Sequence, residues 1–135
     1  LASTLPQILD ETIPAAPQNN EAASYCQLIK KEDGIINWHK SALEVEREVR
    51  AYQGWPQSRA MLGKLEVIIT KASVESDVLT RSTTPGNIIT KDAAGEPALI
   101  IATSDGFLRI EALKPLGKKE MPAQAFLTGY NNHIS

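Results

Sequence analysis

Residues 98–113 read ALIIATSDGFLRIEAL, and the fold class turns on them. Ala98 to Thr103 is a short run of strand composition, apolar from Ala98 to Ala102. Phe107, Arg109 and Glu111 then alternate with Leu108, Ile110 and Ala112, the period-two pattern of a strand buried on one face. Between the two runs stands Asp105-Gly106, a hairpin signal, because aspartate and glycine tolerate the positive φ that such turns demand. The stretch therefore reads as two antiparallel strands. Working outward, Leu65–Ala72 is rich in valine and isoleucine, and Gly86–Thr90 has strand composition after the Pro85-Gly86 turn signal. Ala94-Gly95 is a further turn signal, and Ile35–Trp38 is a fifth short candidate strand. About five short strands with helices at the edge predict a mainly β domain, a small barrel of the oligonucleotide-binding kind.

Helices punctuate this pattern. Ser41 with Glu44 three residues on has the form of a capping box, opening a helix that carries Ala42, Val45, Val49 and Tyr52 on one side; Gly54 and Pro56 stop it. Pro122 opens a final short helix through Phe126 and Leu127 to Gly129. At the other end Leu1, Leu5, Ile8, Leu9 and Ile13 recur at helical spacing until Pro14 and Pro17 intervene. These positions predict a three-part organisation. Residues 1–13 form the last helix of a preceding domain, 14–34 a linker that opens on Pro, Ala, Asn and Gln, and 35–135 the β domain.

The chain has 135 residues, 42% of them hydrophobic and 22% charged, a globular composition long enough to bury a core without crosslinks. No apolar run approaches the length of a transmembrane helix. Cys26 stands alone, which leaves no internal disulfide, favours a reducing compartment, and reads as an inert small hydrophobe. Two histidines and one cysteine are poor material for a zinc site. His39 and His133 have no nucleophile or carboxylate at a useful spacing, Pro85-Gly86-Asn87 lacks the glycines and lysine of a phosphate loop, and Glu46 and Glu48 point to different sides of a helix. No catalytic residue and no metal site is expected. Fourteen basic against sixteen acidic residues give a net charge of −2, so a polyanion could be held only by local clusters. The candidates are Lys30 and Lys31 before the first strand, Arg47 and Arg50 on one helix face, and Lys114, Lys118 and Lys119 around Pro115 and Gly117. Each pair also has an ordinary reading as solvated or salt-bridged surface.

Six segments in order carry a resemblance: KKEDGIINW (30–38), VEREVRAYQGWP (45–56), PGNII (85–89), ATSDG (102–106), LKPLGKKEM (113–121) and AQAFLTG (123–129). Together they resemble the C-terminal domain, with its preceding linker, of the methionyl-tRNA formyltransferase family. The resemblance implies an oligonucleotide-binding-like barrel that helps position initiator methionyl-tRNA for formylation from 10-formyltetrahydrofolate, in the cytoplasm and as a monomer. It implies a catalytic and folate-binding N-terminal domain in cis, and no cofactor held by this region. Lys31 falls at the family's linker lysine with Lys30 beside it, Arg47 and Arg50 at its helix arginines, and Lys118 and Lys119 at its paired lysines before methionine. Asn37 departs from the family's aspartate before Trp38. Trp38, Tyr52 and Trp55 lie beside an apolar helix stripe and are expected to pack in the core or between domains, not to stack on bases. Two other readings stand beside this one: the equivalent domain of a sugar-nucleotide formyltransferase, in which paired lysines have no task, and a purely structural module.

Overall fold

The computed structural model of the chain describes residues 3–75 and 84–134, and at 131, 133 and 134 the backbone alone. Leu1, the first member of the N-terminal stripe, and the His133 side chain lie outside the described residues. The helices are α1 (Leu5–Leu9), α2 (Ala42–Ala51) and α3 (Ala123–Ile134). The strands are β1 (Ser58–Leu62), β2 (Leu65–Glu75), β3 (Ile88–Lys91), β4 (Pro97–Ala102), β5 (Phe107–Pro115) and β6 (Met121–Pro122). They form one antiparallel sheet in the order β1-β2-β5-β4-β3, with β6 on β5. The mainly β reading with short helices holds. The expected barrel is loose wording, because among the described residues β1 and β3 do not pair and the sheet stays open.

The 98–113 stretch folds as read. Ala102 pairs with Phe107 across a four-residue connection in which Gly106 alone takes positive φ (+87°), and the Thr103 hydroxyl donates to the carbonyls of Asp105 and Gly106. Ala98 to Ala102 are all buried, since β4 lies inside the sheet with packing on both faces. On β5 the alternation holds for Leu108 and Ile110 and then slips. Thr70 on β2 and Glu111 on β5 have no register partner, so Leu113 and Pro115 take the inward positions and Ala112 does not. Arg109 binds this region together, its guanidinium 2.6 Å from Glu75 and 3.3 Å from Asp92.

The capping box is present as predicted: Ser41 Oγ accepts from Glu44 N–H, and the Glu44 carboxylate accepts from Ser41 N–H at 2.8 Å. Ala42, Val45 and Val49 turn inward, and α2 packs on β2 and β5. Helix α3 packs on β4, β5 and β6. Val45, Val49, Phe126 and Leu127 thus meet Leu62, Val67, Ile69, Leu99, Leu108 and Leu113 in one core. Trp38 packs against that core, as expected of it.

Other expectations need correction. Among the described residues the N-terminal helix spans only Leu5–Leu9, and none of its side chains is buried. Ile35–Trp38 shrinks to an isolated bridge from Ile35 to Arg59, because Asn37 turns the chain by accepting the His39 N–H on its Oδ1. Strand β1 was missed: Ser-Arg-Ala-Met-Leu has no β-branched residue, and its alternation shows only once Ala60 and Leu62 are seen buried. Helix α3 runs past Gly129, where the stacked rings of Phe126 and Tyr130 (5.0 Å) bridge the glycine. Cys26 is exposed, so it is no core hydrophobe.

Phe126 is fully buried where α3 meets the sheet. Phe126→Ala is expected to lower unfolding stability by about 3–5 kcal/mol in urea titration, through lost transfer energy and the cavity left behind.

Candidate nucleic-acid interface

Cross-strand register decides which cations share a face. Arg59 pairs with Ile68 and Ile68 with Lys114, so the three side chains stand in one row on the side of the sheet opposite the core-facing Ala60, Val67 and Leu113. Ile68, between the two basic residues, is only 9% exposed. Lys31 joins the row by its backbone: an Arg59 NH2 donates to the Lys31 carbonyl at 2.5 Å. The loop bearing Lys118 and Lys119 begins beside β2, because Leu116 N–H donates to the Glu66 carbonyl at 3.0 Å. Lys118 N–H then closes a turn on Pro115, and both lysines are exposed. Lys30, next to Lys31, is also exposed, and its N–H is capped by the Asp33 carboxylate at 2.7 Å.

The structure therefore brings Lys31, Lys114 and the root of the 116–119 loop to one face of β1, β2 and β5. It leaves Arg47 and Arg50 outside that row. They lie on the exposed side of α2, where Arg50 pairs with Glu46 one turn back (3.2 Å); Arg47 has no ion pair among the described residues. A groove of about 610 Å³ separates the end of α2 from the β2–β5 bulge, with Glu46, Arg50, Gln53, Lys71 and Glu120 on its wall. Glu120 is the neighbour of Lys119, so Arg50 shares this groove with the end of the lysine loop, and Glu46 and Glu120 place carboxylates on its wall; Arg47 does not line it.

Sequence reasoning passed over Arg59, which stands in no recognisable motif and gains its meaning only from the carbonyl it reaches. Trp55 was expected in a packed interface. It is instead 59% exposed, and its indole N–H donates to the Ile29 carbonyl at 3.3 Å. Tyr52 lies half-buried in the groove wall. His39 is exposed, and no group of three metal-ligating side chains occurs among the described residues. No helix among them is long and apolar enough to cross a membrane.

A protein-family model described as formyl transferase, C-terminal domain, matches residues 28–131. The chain belongs to this family. Among curated relatives of this formyl transferase C-terminal domain is the methionyl-tRNA formyltransferase of Macrococcus caseolyticus (strain JCSC5402). It is 33% identical over 135 residues, which is 99% of this chain and 41% of that protein. That of Roseiflexus castenholzii (strain DSM 13941 / HLO8) is 35% identical over 129 residues, 96% of this chain and 40% of that protein. The domain thus spans about two-fifths of the length of the curated relatives it matches. Crystal structures of HypX from Aquifex aeolicus share the fold. A multiple-substitution variant gives a TM-score of 0.61 at 17% identity, over 99% of this chain and 23% of that one. The form in complex with tetrahydrofolic acid gives 0.58 at 18%, over 96% and 22%.

One ion pair beside the bulge sets a pH dependence. Lys71 Nζ lies 2.6 Å from the Glu111 carboxylate, and hydrogen bonds from Lys71 and then Ser73 hold Glu111 below its ordinary value of 4.5. A carboxylate depressed in the folded state adds stability above its unfolded pKa, and that stability is lost as pH falls through the lower folded value. Glu111→Gln is therefore expected to be less stable than the parent near neutrality, the gap closing in urea melts as acid protonates Glu111 in the folded parent.

Proposed function

We propose that this chain is the tRNA-positioning part of a methionyl-tRNA formyltransferase. It holds initiator methionyl-tRNA by phosphate contacts while a catalytic part of the same protein, outside the region described, transfers the formyl group from 10-formyltetrahydrofolate in the cytoplasm. The observation that carries this reading is the meeting of the Lys31 backbone, Lys114 and the root of the loop bearing Lys118 and Lys119 along β1, β2 and β5 of a chain whose net charge is −2. The relatives named methionyl-tRNA formyltransferase supply the identity of the polyanion.

The physics suits such a role. Lysine-to-phosphate contacts carry no base information, so they set where the RNA lies and leave discrimination to other contacts. Each contact releases counterions, which makes binding fall steeply with salt. On α2, Glu46 pairs with Arg50 and Glu48 with Lys40, which lowers the positive field there and favours one docked orientation over diffuse adsorption. No chemical step is assigned to this chain. Its proposed part is to bind and orient, as a monomer joined in cis to the catalytic part.

Lys118→Ala with Lys119→Ala is expected to weaken initiator tRNA binding and to flatten the plot of log affinity against log salt by about 0.7–0.9 for each phosphate no longer neutralised. Fluorescence anisotropy at several salt concentrations measures both. An unchanged slope would remove the loop from the interface, and absence of tRNA binding by the parent chain at low salt would refute the proposed role.

A further inference from the structure

We propose that Trp55 and Arg59 are positioning residues that clip the linker backbone to the β domain and so fix where Lys30 and Lys31 meet the RNA; this rests on the tRNA-positioning reading above. The linker by composition is a flexible connector, yet its last part is attached to one short segment at several points. The Trp55 indole donates to the Ile29 carbonyl at 3.3 Å, and the Arg59 guanidinium donates to the Lys31 carbonyl at 2.5 Å. These are alternate carbonyls on either side of Lys30, held by side chains four residues apart. Gly34 follows against the same segment: a Cβ there would stand 2.2 Å from the Gln57 carbonyl oxygen, so the backbones touch where no other residue fits. Ile35 then bridges Arg59, and Ile36 N–H donates to the Arg59 carbonyl at 2.9 Å. Residues 29–36 are thus docked on 55–59.

Arg59 is built for holding. Its side chain is 17% exposed, its Nε is buried with no protein partner, and Glu66 lies 3.9 Å from its NH1. Little of its charge faces solvent, and the planar fork that reaches the Lys31 carbonyl is a geometry lysine cannot reproduce. Trp55 contributes a donor at the tip of an otherwise exposed ring. The two donors hold the linker lysines at the end of the row that Arg59, Ile68 and Lys114 define across the sheet. An unclipped linker would carry the same charges over a wide volume, and binding would then have to include the loss of that freedom.

The test uses Trp55→Phe with Arg59→Met in the full chain, which keeps the ring and an unbranched stem but removes both linker hydrogen-bond donors. Trypsin cleavage after Lys30 and Lys31 is expected to quicken about tenfold with the circular dichroism spectrum unchanged. Initiator tRNA affinity is expected to fall about fivefold to tenfold. In a Lys30→Ala, Lys31→Ala background the same pair of changes is expected to cost nothing further, because there are no charges left to position. Trp55→Phe alone, a milder change, is expected to move cleavage and affinity in the same directions. Unchanged cleavage in the double variant overturns the clip. Parent-like affinity in the double variant, or an additive loss in the lysine-free background, overturns the positioning role, the latter showing that Arg59 touches RNA itself. Failure of the parent chain to bind tRNA instead overturns the proposed function, and the cleavage rate still decides the clip.

Discussion

Strand β5 pairs with β2, β4 and β6, and both α2 and α3 lie against it, so the burial of its inward side chains is the constraint to which the rest of the molecule answers. Leu108, Ile110 and Leu113 can all face inward only because Glu111 is left out of the register. A strict alternation would have buried Ala112 and turned Leu113 to water. The same irregularity turns Lys114 to the outer face, in line with Ile68 and Arg59. A packing requirement of the core therefore sets the side on which a basic residue emerges.

Electrostatics then refine what packing began. Five cations near the core elements are answered by a carboxylate: Lys40 by Glu48, Arg50 by Glu46, Arg59 by Glu66, Lys71 by Glu111, and Arg109 by Glu75 and Asp92. Exposed pairs of this kind contribute little stability, but they remove positive field from the flanks of the sheet. Lys30 and Lys31 of the linker, Lys114 on β5, and Lys118 and Lys119 of the loop have no ion pair among the described residues. A chain of net charge −2 can in this way present a local cationic face.

The linker shows how composition and structure part company. Tyr25 and Leu28 are almost fully exposed, as an unstructured connector would have them. From Ile29 onward the same stretch is bound to Trp55 and Arg59 by its carbonyls. Main-chain acceptors are common to every residue, and so nothing in the side-chain pattern of 29–31 announces the attachment. Arg59 was invisible for the same reason. Trp55 was legible as a residue with a packing task, although its actual task is a hydrogen bond.

Local rules were enough wherever partners lie close in the chain. The β4–β5 hairpin follows from the positive φ at Gly106 and from two apolar runs, and the start of α2 from a side chain and a backbone three residues apart. Cysteine and histidine counts argued against metal and nucleophile chemistry, and the six motifs named the family. Tertiary structure alone decided which strands neighbour one another, that the sheet stays open, where β5 slips, and which of the candidate cations lie near one another. Each of those outcomes depends on contacts between residues tens of positions apart. Their energies arise only when the core assembles, and a period-two or period-3.6 pattern along the chain carries no record of them.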